Sequence, residues 1–140
     1  MKNLFILSFL LISCTSKEAK VELNKFDQTS YVKTSARDRI QTYSFDFYST
    51  SIEDVKRHAL KSTNTDGQMT AVYYFHQNDR QPQSGFSTFT NIFAANDFLY
   101  SSNLIDDWKY AYLHSRNGDR IFVDCTLPKE ERYQGLCKGD

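Results

Sequence analysis

The chain has 140 residues, carries 17 basic and 17 acidic side chains, and is 15% aromatic. Its balanced charge excludes the strongly basic surface on which nucleic-acid binding depends. The aromatic share is enough to build a hydrophobic core, and the length suits one domain. We therefore expect a single domain with no nucleic-acid partner.

The first residues, MKNLFILSFLLIS, form a basic start followed by a short apolar run. Leu4 to Ile12 is apolar except for Ser8. A helix of that length rises only about 13–14 Å, far less than a hydrocarbon core of about 30 Å. The run is too short for a transmembrane anchor and has the length of a cleavable signal. Residues 1–13 are therefore predicted to be a signal peptide.

The end of this run, Leu11-Ile12-Ser13-Cys14, resembles the lipobox of bacterial lipoproteins. The resemblance implies that Cys14 is lipidated and begins the mature chain; the alternative is an ordinary secretory signal with a chance cysteine. Two or more acyl chains hold a protein firmly on a membrane. Thr15 stands where lipoproteins retained in the inner membrane often carry Asp. The resemblance thus points to the outer membrane, facing the periplasm, with a Gram-positive cell surface as the alternative.

Two further cysteines, Cys125 and Cys137, lie near the end of the chain. Cysteines in an oxidising envelope compartment usually form disulfides. The bond would close a loop of roughly a dozen residues and add about 3 kcal/mol of stability. A metal pair or a redox pair fits less well, because there is no C-x-x-C motif and no histidine lies between them. We predict a structural disulfide.

Residues 14–38 are polar with scattered apolar side chains and show neither strand nor helix periodicity. This composition is typical of a flexible tether. Part of the segment, around Phe26–Val32, could instead order as an edge strand. The folded domain is predicted to span residues 39–140.

The domain begins with residues 40–49, whose alternating polarity predicts a half-buried strand with Phe47 on its inner face. A helix follows, with Thr50 as its N-cap and Glu53 completing a capping box. Its apolar face consists of four residues, namely Ile52, Val55, Ala59 and Leu60.

Residues 68–76 are β-branched and aromatic, with apolar side chains on both faces, which predicts a central strand. A second helix is predicted within residues 87–102, where apolar side chains recur at helical spacing, with Ser84 or Ser87 as its cap. A polar loop at 77–86 separates the two elements.

Residues 107–125 predict a β-hairpin around Asn117-Gly118, since both turn residues tolerate positive φ. The resulting order is β-α-β-α-β-β, followed by a polar tail that the disulfide pins. We predict an α+β fold: a two-layer sandwich in which two helices cover one face of a four-stranded, mainly antiparallel sheet.

One candidate site lies at the end of the central strand, where His76 precedes Asp79 and Arg80. Loops that follow strands often carry function. The competing interpretation is a histidine that simply closes a turn. The loop that follows is equally consistent with a recognition surface and with a connector.

A second candidate is an aromatic stripe on one face of a hairpin strand, formed by Trp108, Tyr110, Tyr112 and His114. Tyrosine and tryptophan combine a large apolar area with a polar tip and are enriched at interfaces. The simpler interpretation is that helices cover the stripe and it belongs to the core. If they do not, the stripe would bind a protein or a peptidoglycan sugar.

The sequence contains no catalytic or metal-binding pattern. Its three histidines lack metal-ligand spacing, and neither a G-x-S-x-G elbow nor a glycine-rich phosphate loop occurs. We expect a non-enzymatic protein without metal or cofactor, although an enzyme using His76 and Asp79 stays a minor alternative.

The expected function is that of an outer-membrane lipoprotein binding a protein partner, as an accessory component of secretion, conjugation or outer-membrane biogenesis. The alternative is an inhibitor, immunity or exclusion lipoprotein that binds a foreign toxin, hydrolase, plasmid or phage component. Both expectations rest on a lipid anchor at Cys14, a compact domain and the lack of a catalytic pattern.

Overall fold

The computed structural model describes residues 25–140, apart from 35–36, 63–66, 84–85, 87 and 90. The predicted signal peptide, Cys14 and much of the predicted tether lie outside the described residues. Within them, no helix is long and apolar enough to cross a membrane. The elements are β1 (Phe26–Lys33), β2 (Arg39–Phe45), α1 (Ile52–Ser62), β3 (Thr70–His76), α2 (Ile92–Ser101), β4 (Tyr110–His114), β5 (Arg120–Asp124) and a 3-10 helix (Lys129–Glu131).

The strands form one mixed sheet in the order β1-β2-β3-β4-β5. β2 and β3 pair in parallel, and the other neighbours are antiparallel. The α+β class is confirmed, whereas the four-strand count is wrong. The fifth strand is β1, which lies inside the predicted tether at 14–38, where the sequence also allows an edge strand. Phe26 and Val32 bury their side chains and anchor this strand.

The two helices lie on opposite faces of the sheet, so the predicted two-layer sandwich is wrong. Val55 and Ala59 of α1 pack in one hydrophobic cluster. Ile92 and Leu99 of α2 pack in another. The physical reason is β3: its successive residues alternate between the two clusters, so both of its faces need a covering helix.

The start of α1 differs from the prediction by one residue. Strand β2 ends at Phe45. The Asp54 N–H donates to Ser51 Oγ at 3.2 Å, and the Ser51 N–H donates to Asp54 Oδ2 at 3.2 Å. This reciprocal pair is the capping box, in place of the predicted Thr50 and Glu53. Leu60, predicted on the apolar face, is 51% exposed.

Helix α2 is confirmed within the predicted range, but its cap is Asn91, whose Oδ1 accepts the Phe93 N–H at 2.9 Å. The predicted caps Ser84 and Ser87 lie outside the described residues. An asparagine satisfies a free N–H of the first helical turn as well as a serine does.

The predicted β4–β5 hairpin is confirmed. Ser115 O accepts the Gly118 N–H at 3.1 Å, and the Ser115 N–H donates to Asp119 O at 2.9 Å. Only Gly118 needs the left-handed conformation, with φ of 91°; Asn117 keeps a negative φ. The turn places glycine where side chains are disfavoured.

The predicted disulfide joins Cys125 to Cys137, with 5.6 Å between their Cα atoms. It folds the C-terminal tail back onto the α2 face, where Cys137 is buried. Trp108 secures the same tail, since its Nε1–H donates to Leu136 O at 3.1 Å.

Candidate functional site

The parallel strands β2 and β3 end side by side, at Phe45 and His76. From there the chain leaves in two directions: β2 continues into α1 on one face, and β3 leads towards α2 on the other. A crevice opens where neighbouring connections diverge, and ligands of open α/β sheets bind there. This position favours a ligand site at the ends of β2 and β3.

A cleft of about 520 Å³ occupies this position. Its walls come from the β2–α1 turn, the end of β3, the residues just before β4 and the C-terminal tail. Its lining includes Phe47, Tyr48, His76, Asp79, Lys109 and Arg132. We call this the strand-end cleft.

A tight turn holds the aromatic rim of the strand-end cleft. The Asp46 carboxylate accepts the Tyr48 N–H at 3.0 Å and the Ser49 hydroxyl at 3.0 Å. The turn projects Tyr48 into solvent, where the residue is 92% exposed, and leaves Phe47 41% exposed. A large aromatic side chain is thus presented on backbone that is already ordered.

His76 and Asp79 meet in the cleft but do not form a ring–carboxylate pair. The Asp79 carboxylate accepts the backbone N–H of His76 at 3.0 Å, and His76 Nδ1 accepts the Asn78 N–H at 3.2 Å. Accepting at Nδ1 leaves Nε2 as the donor of the neutral ring. Asp79 also pairs with Lys109 at 3.3 Å. Two of the three predicted residues, His76 and Asp79, therefore lie together at this strand end.

Arg80, the third residue predicted here, points elsewhere. Its guanidinium binds Asp106 at 2.5 and 2.8 Å and Asn103 O at 3.0 Å. This contact holds the pKa of the Asp106 carboxyl below its usual value. Arg80 joins two loops and is not a wall of the cleft.

The tail supplies the remaining charges. Arg132 pairs with Asp140 at 3.4 Å. Lys138 donates to the carbonyl oxygens of Ser102 and Ile105. These cations are neutralised or satisfied within the fold, so the cleft presents mixed polarity and no concentrated positive charge.

The predicted aromatic stripe is not a surface in this structure. Trp108, Tyr110, Tyr112 and His114 are between 1% and 7% exposed. Helix α1 covers Tyr110 and Tyr112, while Trp108 precedes β4 and packs on the opposite face against Tyr73, with ring centroids 4.6 Å apart. The single-face arrangement is therefore wrong, and the core interpretation of the stripe agrees with its burial.

The cleft contains residues that the sequence analysis missed, chiefly Tyr48, Lys109 and Arg132. Tyr48 had a local signal, because Asp at the first position of DFYS favours a turn. Lys109 and Arg132 had none, since only the sheet and the disulfide bring them there. Within the part of the chain that the structure describes, no group of three His, Cys, Asp or Glu residues could hold a metal ion.

Comparison with known proteins found no match among family models, curated proteins or solved structures.

Proposed function

We propose that this chain is a lipid-anchored outer-membrane protein whose domain binds another protein through the strand-end cleft. The observation that carries the proposal is Tyr48, 92% exposed on a turn that hydrogen bonds keep ordered. Tyrosines presented in this way dominate the energy of many interfaces, because little conformational entropy is lost on binding.

The polar contacts of the cleft support binding over catalysis. Asp79 is engaged by the His76 backbone and by Lys109, so it does not orient the imidazole as the carboxylate of a catalytic pair does. The mixed charges around the aromatic rim suit the polar margin of a protein interface.

In-cell photo-crosslinking tests the proposal. The full-length chain would carry benzoylphenylalanine at position 48 or, as the control, at position 93. Phe93 lies on α2 and is 77% exposed, so it matches Tyr48 in accessibility but not in location. We expect one envelope protein to be captured from position 48 and not from position 93.

Binding of the purified partner then measures the contact. Tyr48→Ala should raise the dissociation constant about tenfold or more, as expected for a central interface tyrosine. Phe93→Ala should change the dissociation constant little. Equal losses for both variants, or no capture at position 48, would refute the proposed surface. A captured component of the cell's own envelope assembly favours an accessory role; a foreign protein favours inhibition or exclusion.

The anchor is tested separately. Cys14→Ala should move the protein from the membrane fraction to the soluble fraction, because the apolar run is too short to span the bilayer. Persistence in the membrane would contradict lipidation and leave the cleft proposal untouched.

A further inference from the structure

The two outer edges of the sheet are unequally protected. Strand β1 has a register shift between Gln28 and Ser30, an irregularity that twists an edge away from incoming strands. Strand β5, at the other edge, pairs with β4 without any shift. Its sequence is RIFVD, in which the three central residues favour strands. The β5 edge is therefore the open one.

The hydrogen bonds of the hairpin show which groups of β5 point outwards. The Cys125 N–H donates to Lys109 O at 2.9 Å, and the Ser115 N–H donates to Asp119 O at 2.9 Å. Since bonding direction alternates along an antiparallel strand, Ile121 and Val123 bond to β4. The N–H and C=O groups of Arg120, Phe122 and Asp124 then face outwards. Among the described residues, these three make no backbone hydrogen bond to any element beyond β4.

Space beside this edge is open. A cleft of about 550 Å³ borders it, between Lys56 of α1, Phe122 of β5 and tail residues such as Leu127 and Tyr133. Both tail residues are exposed. The tail thus flanks the edge without pairing to it.

We propose that β5 pairs antiparallel with β5 of a second copy of this chain, about a two-fold axis at Phe122. Phe122 then lies opposite itself, and Arg120 lies opposite Asp124 of the second copy. The strand is self-complementary in charge, with a basic start, an apolar centre and an acidic end. The three residues with outward groups face one another, which gives about six backbone hydrogen bonds, two for each pair.

The charged ends are available for this pairing. Arg120 is exposed and makes no ion pair with any residue that the structure describes. Asp124 uses Oδ1 to accept from the Thr126 N–H at 2.9 Å and its hydroxyl at 2.5 Å, which leaves Oδ2 for a guanidinium. A slip of two residues would set Arg120 opposite Phe122, so charge also fixes the register.

Charge reversal tests the proposal in cells. The full-length chain would carry benzoylphenylalanine at position 122, which keeps an aromatic ring there, and would be co-expressed with an epitope-tagged copy. Illumination should join the two copies. Arg120→Asp or Asp124→Arg, present in both copies, sets like charges opposite each other and should lower the yield at least fivefold. The double variant restores opposite charges and should recover most of the yield.

Asp97→Arg on α2 is the matched control, since it makes the same charge change as Asp124→Arg away from the edge and should leave the yield unchanged. Thermal melting followed by circular dichroism checks that each variant folds. The proposal is overturned if the wild-type copies do not join, if neither single reversal lowers the yield, or if the double variant fails to recover it. Capture of a different protein alone at position 122 would assign the edge to that protein and would equally overturn self-pairing.

Discussion

The two faces of the sheet use the same strands but different chemistry. The face under α2 is centred on Trp108, Phe75 and Leu99, and the polar tip of Trp108 is satisfied by the tail. The face under α1 is rich in tyrosine and histidine. Tyr74 OH hydrogen-bonds to His58 Nδ1 at 2.9 Å, and burial raises the pKa of Tyr74. Tyr112 OH, in contrast, is buried and has no hydrogen-bond partner among the residues that the structure describes. Packing therefore dominates the first face, and the second depends on hydrogen bonds that are only partly made.

The largest expected effect is on the α2 face. Trp108→Ala should lower the free energy of unfolding by about 3–5 kcal/mol, because it removes a fully buried aromatic ring and leaves a cavity. Urea denaturation followed by circular dichroism measures the change. Phe93→Ala, on the exposed side of α2, is the control and should stay within about 0.5 kcal/mol of the wild type. Similar losses for the two variants would contradict the difference in packing.

Loss of the disulfide should come next. Replacing both Cys125 and Cys137 with serine should destabilise the domain by about 2–4 kcal/mol, since the unfolded chain gains the freedom of the opened loop. The double replacement avoids an unpaired thiol. An unchanged urea midpoint would mean that fixing the tail to the α2 face does not stabilise the domain.

An ion pair that belongs to neither cluster, between Arg116 and Asp38, provides a charged contact to compare with the two faces. Arg116 binds the buried carboxylate of Asp38. This hydrogen-bonded contact is the main cause of the lowered pKa of Asp38. The pKa of Asp38 is lower in the folded state than in the unfolded chain, where it is about 3.9. The ion pair therefore stabilises the fold at pH values above the unfolded-state pKa. This stabilisation is lost as pH falls through the folded-state pKa.

Arg116→Gln should therefore lower the free energy of unfolding at pH 7, because the Asp38 carboxylate would stay buried without its cation. The cost should shrink as pH falls below about 4, where Asp38 protonates in the unfolded chain. Urea titrations of both proteins at several pH values give the difference. A cost that does not depend on pH would show that Arg116 acts by packing alone.

The smallest expected changes in the free energy of unfolding come from two tyrosine hydroxyls on the α1 face, one hydrogen-bonded and one not hydrogen-bonded to any described residue. Tyr74→Phe removes a hydrogen bond and should destabilise by about 1 kcal/mol. Tyr112→Phe removes a buried hydroxyl that has no partner within the described ranges of the chain, and should be neutral or stabilising. The two substitutions delete the same atom at buried sites, so each controls the other. Equal losses would show that the two hydroxyls are equally well satisfied.

His114 gives a second test of the same idea. Both of its ring nitrogens are buried without a hydrogen-bond partner in the part of the chain that the structure describes. His114→Leu should raise the free energy of unfolding by about 1 kcal/mol, because it relieves the desolvation of those atoms. Thermal melting measures the gain, and a large loss would contradict it.

The elements that the sequence predicted have local causes. The hairpin follows from Asn117-Gly118, and the helices from apolar spacing with caps nearby. The side of the sheet on which Trp108 packs could not be predicted in this way, because the alternation of β4 begins only at Tyr110. The placement of the helices on opposite faces follows only if the two apolar faces of β3 are taken to require a helix on each side of the sheet.

The candidate site was predictable in one part only. His76 and Asp79 follow a recognisable strand, so their place at its end could be foreseen. The alternating polarity of residues 40–49 predicts that Tyr48 continues the strand, whereas its N–H donates to Asp46 Oδ1 in a turn. Arg132 reaches the cleft through the folded tail, a long-range contact that no periodicity encodes.

The anchoring of the tail by Trp108 gives the molecule a built-in optical reporter. Trp108 is the chain's sole tryptophan, it is 1% exposed, and its indole N–H is bonded to Leu136 O inside the disulfide loop. Indole emission depends on the polarity around the ring. Reducing the disulfide in the intact protein and following the emission maximum should therefore reveal whether the tail detaches before the sheet unfolds.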